Sequence, residues 1–245
     1  MAGALILAAD VGGTKTYLAM CEPTTTGFAA AAEARYETPT FASLGALLAA
    51  FTRQVGRLPR CVVVGVPGPV RQLPVRAVNL PWSIDPEELR AAVGVADVHL
   101  LNDLEATSYG TQLLAPQDMV VLNEAATDPE GNVAVIAAGT GLGEGGLCWT
   151  GSRYTAIASE GGHTSFAPSD ELEAQLWAWL RPRYGHLSWE RIVSGPGLVS
   201  IYEFLRDRQA GAEPQWLAAG LAAAHDRAGR SSRAGLEGRW ALADR

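Results

Sequence analysis

The feature that most constrains this sequence is a strand, glycine turn, strand plan that occurs once in each half. Near the N-terminus the apolar run 5–9 leads into the Gly12-Gly13 pair, and residues 17–21 follow as a second strand. In the second half, residues 133–138 precede a glycine loop and residues 145–150 return from it. Two such hairpins predict two lobes, each presenting the backbone N–H groups of a glycine turn.

Helical and strand patterns alternate through the rest of the chain, which is typical of an α/β fold. The first predicted helix has the apolar face Leu44, Leu47, Leu48 and Phe51, and it is followed by a strand at 61–66, a helix at 86–93, a strand at 98–101 and a helix at 104–114. A later helix is capped by Asp170, stops at Pro182 and has the apolar face Leu172, Leu176, Trp177 and Leu180. The last predicted helix is marked by Leu198, Ile201, Tyr202 and Leu205. We therefore expect a small lobe at 1–108 with the first glycine turn and a larger lobe at 109–245 with the second.

Charge and composition argue against several classes of protein. The 245 residues include 19 Lys and Arg against 26 Asp and Glu, so the net charge of −7 provides no basic field for nucleic acid or an anionic membrane. No apolar run approaches the roughly 20 residues of a membrane span, and the first residues lack a signal-peptide pattern. Cys21, Cys61 and Cys148 are scattered, so we expect a cytoplasmic protein without zinc or a tightly bound cofactor.

The first glycine turn, Asp10-Val11-Gly12-Gly13-Thr14-Lys15, has the composition of a phosphate-binding loop. Glycines let the backbone approach a phosphate closely, Thr14 and Lys15 add a hydroxyl and an ammonium group, and Asp10 could hold hydrated Mg²⁺. The spacing of a Walker loop is absent. An ordinary glycine hairpin stays open as the alternative.

The second glycine turn, Gly139-Thr140-Gly141-Leu142-Gly143, is equally permissive and also carries a hydroxyl group. Its glycines match the bare dinucleotide pattern G-x-G-x-x-G, but that motif must open a helix, whereas residues 145–149 continue as a strand. Two glycine hairpins in two half-sequences fit better with one nucleotide held between two lobes.

Two pairs of polar residues are candidates for chemistry on a hydroxylated substrate. Asn102 and Asp103 follow a predicted strand, and an aspartate near a hydroxyl group can take its proton during phosphoryl transfer. Alternatively, they cap the next helix, because Asn and Asp are favoured N-caps. Glu160 and His163 flank two glycines, which lets both side chains converge on a polyol. His163 has no partner at metal-ligand spacing, so we predict no metal there.

Together these segments resemble the non-repressor type of bacterial glucokinase, in the hexokinase and actin-like superfamily, from about residue 5 to residue 205. The matching motifs are ADVGGTK at 9–15, LNDLEA at 101–106, AGTGLG at 138–143, EGGHTSFAP at 160–168 and SWERIVSGPGL at 188–198. Their order and spacing match as well. The combination is far more specific than any single motif.

The resemblance implies two ribonuclease-H-like lobes around a cleft, in which ATP with Mg²⁺ phosphorylates glucose at its 6-hydroxyl as a step of glycolysis. It makes Asp103 the general base, and it implies sugar contacts at Asn79, Asn102, Asp103, Glu160, His163 and Glu190. It implies nucleotide contacts at Ala9, Asp10, Val11, Gly12, Gly13, Thr14, Gly139, Thr140 and Gly141. Glu190 rests on the resemblance alone, and a homodimer is a further family expectation.

The C-terminal part departs from the family pattern. Family members continue with a strand and a glycine motif that cover adenine, whereas residues 216–245 show neither and are rich in arginine, as in a truncated or frameshifted tail. A divergent capping helix over 216–224 is the alternative. The hypotheses are thus an active glucokinase and a defective relative that binds hexose but binds ATP poorly. The acidic charge and the lack of a helix-turn-helix before Asp10 disfavour a transcription factor.

Overall fold

The computed structural model describes residues 5–25, 27–76, 80, 82–124, 128–208, 213–224, 226–229 and 233. Its strands are β1 Ile6–Val11, β2 Lys15–Pro23, β3 Phe28–Glu37, β4 Cys61–Val66, β5 Val75–Arg76, β6 Ser83–Ile84, β7 Asp97–Asn102, β8 Val133–Ala138, β9 Leu142–Trp149 and β10 Tyr154–Ala158. Its α-helices are α1 Leu44–Val55, α2 Pro86–Val93, α3 Asp103–Gly110, α4 Glu171–Tyr184, α5 Gly195–Arg208 and α6 Gln215–Ala223. Within these described parts, no helix combines the length and apolarity needed to cross a bilayer.

The chain packs as two compact units. The first comprises Met1–Val133 and Gly146–Ala158, and the second comprises Ala134–Gly145 and Ser159–Arg245. The chain passes between the units within β8 and β9, which belong with β10 to a three-stranded sheet. The lobe boundary expected after residue 108 stays a prediction.

A five-stranded sheet in the order β3-β2-β1-β4-β7 forms the centre of the first unit. β1 pairs antiparallel with β2, which confirms the predicted hairpin, and it pairs parallel with β4 on its other side. β4 in turn pairs parallel with β7. Because parallel strands end at the same edge of a sheet, the residues after β1, β4 and β7 lie along one edge.

The core of the first unit joins this sheet to α1 and α2. The predicted apolar face of α1 is confirmed, since its four large side chains are at most 1% exposed: Leu44, Leu47, Leu48 and Phe51. Ser43 caps α1 through a hydrogen bond from the Ala46 N–H, and Asp85 caps α2 through one from the Glu87 N–H. The helices therefore begin at the residues that the capping pattern favours.

In the second unit, α4 and α5 share a core with Phe166 and Leu187. The prediction that α4 stops at Pro182 is wrong, because the helix continues to Tyr184. Proline interrupts the hydrogen bonding of a helix, but near the C-terminal end the helix can still continue for a few residues. The helix ends where Gly185 takes a φ of 68°, a left-handed conformation that favours glycine.

Two leucines predicted on apolar helix faces are instead partly in solvent. Leu172 is 46% exposed at the start of α4, and Leu198 is 49% exposed in the first turn of α5. The spacing of apolar residues predicts which face of a helix they share. A side chain on that face is buried only where its turn of the helix packs against another element. The predicted helix 104–114 is also shorter, because α3 ends at Gly110 and a 3₁₀ turn, Thr111–Leu113, follows.

The C-terminal segment contributes a packed helix. Leu217 and Leu221 of α6 are almost fully buried against Tyr202 of α5. The Tyr202 hydroxyl donates to Glu213 Oε1 at 2.5 Å, which ties α5 to the residues just before α6. For residues 213–224, this packing favours the capping-helix interpretation over a frameshifted tail.

Candidate functional site

Asp10 and Asp103 lie at the carboxyl edge of the sheet in the first unit, on either side of Gly65. Asp10 is in register with Gly65, and a Cβ added at Gly65 would lie 3.9 Å from the Asp103 Cα. Both aspartates remain accessible to solvent. Partial burial raises the pKa of Asp10, and the negative charge of Asp103 raises it further. Two neighbouring carboxylates of this kind favour a hydrated cation or a hydroxyl donor.

Asn102 caps α3, which confirms for this residue the alternative that the sequence left open. Its Oδ1 accepts from the N–H groups of Leu104 and Glu105, at 3.0 and 3.2 Å. Its Nδ2 donates to the Gly68 carbonyl at 3.1 Å. One side chain therefore fixes both the start of α3, where Asp103 lies, and the loop that follows β4.

Two substitutions of Asn102 separate these contacts. Asn102→Asp keeps the two cap hydrogen bonds and suits the helix N-terminus, but it places an oxygen opposite the Gly68 carbonyl. Asn102→Ala loses the cap, which should cost about 1 kcal/mol. We expect urea unfolding to show a smaller loss of stability for N102D than for N102A. Wild-type stability in N102A would contradict the capping role.

The first glycine turn is locked from outside by Thr38. The Gly12 N–H donates to the Lys15 carbonyl at 2.9 Å, and a Cβ added at Gly12 would approach that same oxygen to 2.9 Å. Thr38 donates its hydroxyl to the Gly12 carbonyl at 2.7 Å and its N–H to the Thr14 carbonyl at 2.9 Å. These hydrogen bonds fix the shape of the turn, and a side chain at residue 12 would require the backbone to shift. Thr38 has no recognisable signal in the sequence, because only the pairing of β2 with β3 brings it there.

The other predicted residues of the first unit have different surroundings. The side chains of Ala9 and Val11 are buried in the core, so only their backbone groups could meet a ligand. Gly13 lies in the turn and is half-buried. Asn79 lies outside the described residues, and its role stays a prediction.

Three predicted segments of the second unit meet at Leu142, the first residue of β9. The Leu142 N–H donates to Glu190 Oε2 at 3.1 Å. Its carbonyl oxygen lies against Gly162, where an added Cβ would overlap it. The turn before it is closed by a hydrogen bond of 2.8 Å from the Gly139 N–H to the Gly141 carbonyl. The second glycine turn, Glu190 and the turn around Gly162 therefore form one cluster, of which Glu190 had the weakest sequence signal.

Glu160 precedes the 3₁₀ turn Gly161–His163 of this cluster, and His163 is the last residue of that turn. His163 Nε2 lies 3.7 Å from Glu160 Oε2, and both side chains are more than half exposed. The turn is held by the Gly161 N–H, which donates to Ser159 Oγ at 2.9 Å, and by the Thr164 N–H, which donates to the Gly161 carbonyl at 2.8 Å. An accessible imidazole beside a carboxylate can hydrogen-bond neighbouring hydroxyl groups as donor and acceptor.

Further contacts join the two polar segments of this cluster. The Trp189 N–H donates to the Thr164 carbonyl at 3.0 Å, and the Phe166 and Trp189 rings meet edge to face with centroids 4.9 Å apart. The Glu144 carboxylate lies against Gly161. Glu144 is a site-lining residue without a sequence signal, since a glutamate in a strand resembles any exposed position.

A cavity of about 960 Å³ opens beside the second glycine turn, within the second unit. Gly139 and Thr140 line it together with the start of α5 and residues 226–228. The Gly195 N–H donates to the Gly139 carbonyl at 2.8 Å, which holds the N-terminus of α5 against the turn. The N-terminus of a helix carries partial positive charge, which suits a phosphate.

Glu203 holds two arginines together at the wall of this cavity. It accepts from Arg183 at 3.1 Å and from Arg227 at 2.9 Å, and its side chain is 16% exposed. Burial by itself would raise the pKa of Glu203, but the two guanidinium groups outweigh it and lower the pKa below its ordinary value of 4.5. The network links α4, α5 and residue 227.

This network predicts a pH-dependent stability. Because the pKa of Glu203 is lowered on folding, its stabilisation is fully present above about pH 4.5 and is lost as the pH falls through the lowered value. Glu203→Gln should reduce the free energy of unfolding by about 1 to 3 kcal/mol at about pH 7, with a smaller difference in acid. Urea unfolding at a series of pH values measures this. A difference that stays constant into acid would contradict the proposed charge pairing.

Comparison with known proteins decides the family. A family model described as Glucokinase matches residues 7–245. The chain belongs to the glucokinase family. A glucokinase of Nostoc punctiforme is 37% identical to this chain over 213 residues. The match covers 85% of this chain and 62% of the Nostoc protein. The chain thus spans less than two thirds of the length of this curated relative.

Solved structures support the same assignment. The crystal structure of a glucokinase from an Antarctic psychrotroph matches with a TM-score of 0.81 and 27% identity, covering 98% of this chain and 73% of that one. A ROK family glucokinase from Streptomyces griseus, crystallised with glucose and AMPPNP, matches with a TM-score of 0.60 and 21% identity over 98% of this chain and 73% of its own. At that identity the second match shows the fold alone. The predicted α/β fold of actin-like sugar kinases is confirmed.

Proposed function

We propose that this chain transfers the γ-phosphate of ATP to the 6-hydroxyl of glucose, with Asp103 as the general base. Family membership supports the reaction, and the placement of Asp103 supports its role. Asp103 lies at the carboxyl edge of the parallel strands β1, β4 and β7, near Asp10 and the first glycine turn. Ligands of open α/β sheets bind at this kind of edge.

In the chemical step, Asp103 accepts the proton of the glucose 6-hydroxyl. The hydroxyl oxygen then forms a bond to the γ-phosphorus, the bond from that phosphorus to the bridging oxygen breaks, and ADP leaves with the electron pair. Mg²⁺ enters as part of the ATP substrate, and the accessible oxygens of Asp10 suit its hydration shell. Phosphoryl transfer needs little covalent help and much positioning, which the locked turns provide.

We propose that Asn102, Asp103, Glu160, His163 and Glu190 bind glucose. The common attachment of the last three to the Leu142 cluster supports this role, because it keeps their backbones in a fixed relation. Asn79 is included on the family resemblance.

The nucleotide contacts follow the two glycine turns. We propose that residues 9–14 and Gly139, Thr140 and Gly141 face the phosphates, and that the 960 Å³ cavity holds the rest of the nucleotide. Residues 226–228 supply a wall of this cavity.

Two measurements on the purified chain test this proposal. The first is glucose-dependent release of ADP, and the second is calorimetry of glucose and ATP binding. The proposal expects binding of both ligands and turnover that depends on glucose. Glucose binding without ATP binding or turnover would instead identify a defective relative. We further propose a cytoplasmic location, and a homodimer remains an expectation of the family resemblance.

A further inference from the structure

Three metal-ligating side chains meet at the start of two parallel strands in the first unit. Cys61 is the first residue of β4, and the register of the sheet places it opposite Asp97, the first residue of β7. His99 follows on β7 at the alternate position, so it shares a face with Asp97. Since β7 is the edge strand, Asp97 and His99 are both exposed, whereas Cys61 is half-buried.

The potential ligand atoms of these residues are already close together. The thiol sulfur, a carboxylate oxygen and an imidazole nitrogen all lie within 4.8 Å of one another. His99 Nε2 is 2.7 Å from Asp97 Oδ1. Around a tetrahedral Zn²⁺, with bonds of about 2.0 to 2.3 Å, ligand atoms lie about 3.3 to 3.8 Å apart. The three ligand atoms therefore already lie near the separation that one tetrahedral ion requires.

The electrostatics of the cluster also favour a cation. A deprotonated thiol and a carboxylate this close together repel each other, and a divalent cation between them removes the repulsion. Sulfur, imidazole and carboxylate together are the ligand set of zinc and similar metals.

The cluster is separate from the proposed kinase site. Asn102, at the other end of β7, lies about 16 Å along the strand from Asp97, at roughly 3.3 Å per residue. The expectation of no zinc came from spacing along the chain, where Cys61 and Asp97 are far apart. The pairing of β4 with β7 brings them together.

We propose that Cys61, Asp97 and His99 bind one Zn²⁺ or a similar thiophilic divalent cation, with water as the fourth ligand. Cys61 loses its proton to solvent on binding. The metal would cross-link β4 to the edge strand β7 and stabilise the first unit by mass action. The proposal does not depend on the proposed kinase activity.

Titration of the reduced full chain with Co²⁺ tests this site. We expect one Co²⁺ per chain with a thiolate-to-metal charge-transfer band. Cys61→Ser should abolish the band, and His99→Gln should weaken binding at least about tenfold, because even outer-shell partners are worth that much. Cys21→Ser and Cys148→Ser are matched controls that should bind as the wild type does.

A second measurement guards against loss of folding in the variants. Zn²⁺ should raise the thermal unfolding midpoint of the wild type and of both control variants, but not that of C61S, while circular dichroism without metal stays the same for all. No charge-transfer band in the wild type would overturn the proposal. A band that survives in C61S, or that is lost equally in C148S, would overturn it as well.

Discussion

Replacement of Asp103 by asparagine is expected to lower glucose-dependent ADP release by about 100- to 10,000-fold, the usual contribution of a general base. The fold should remain, because Asp103 is exposed and its only described side-chain hydrogen bond, from the Leu104 N–H at 2.9 Å, can also be accepted by an amide oxygen. The substitution also removes the negative charge that raises the pKa of Asp10, so that pKa should fall towards its ordinary value. A coupled assay of ADP measures the loss of turnover, and a urea unfolding curve shows whether the fold remains.

Glu87→Gln is the matched control for this prediction. Glu87 is an accessible carboxylate on α2 of the same unit, and its side chain is 80% exposed in an ion pair with Arg90. The substitution removes the same charge from the chain, and turnover should stay at the wild-type level. If D103N retained more than about a tenth of the wild-type turnover, Asp103 could not be the base.

Gly162→Ala is expected to disrupt the second unit's part of the site. The added methyl group would overlap the Leu142 carbonyl, which is backbone and cannot rotate away. Overpacking of this kind costs about 1 to 3 kcal/mol. The shift also separates the turn carrying Glu160 and His163 from Leu142, so glucose affinity should fall. Calorimetry of glucose binding and urea unfolding measure both losses.

Gly110→Ala provides the matched control for the glycine substitution. Gly110 has helical angles, φ −59° and ψ −30°, and an added Cβ there would meet open space. Alanine should therefore leave glucose affinity unchanged and leave stability equal or up to about 1 kcal/mol higher. Wild-type glucose affinity in G162A would show that the Leu142 cluster does not organise the sugar contacts.

Much of the framework could be predicted from local patterns. The hairpin of β1 and β2 and the apolar face of α1 depend on alternation and helical spacing, which short segments display by themselves. The proline that opens α2 and the aspartate that caps it likewise act within one turn. These elements needed no knowledge of the rest of the chain.

Elements fixed by tertiary pairing could not be predicted. β3 is rich in alanine, which favours helix, yet it forms a long strand because β2 offers a paired edge. β10 is short and follows a turn closed by a backbone hydrogen bond of 3.0 Å from the Thr150 N–H to the Arg153 carbonyl. Propensity is a weak guide wherever a neighbouring strand provides the hydrogen bonds.

The candidate site likewise combines residues that local motifs predict with contacts that depend on tertiary pairing. The motifs located the glycine turns and Asp103, but the partners that hold them lie far away in the chain. Thr38 reaches the first turn through β3, and Glu190 reaches Leu142 across nearly fifty positions. The dual contact of Asn102 is another case, since its cap is local and its bond to Gly68 is not.

Transfer of phosphate to glucose itself is the most direct test of the proposed function. Phosphorus NMR of the wild-type chain with MgATP and glucose should show glucose 6-phosphate and ADP forming in equal amounts, and the same mixture with D103N should show almost none. ADP and free phosphate without glucose 6-phosphate, or equal product from D103N and the wild type, would contradict glucose phosphorylation with Asp103 as the base.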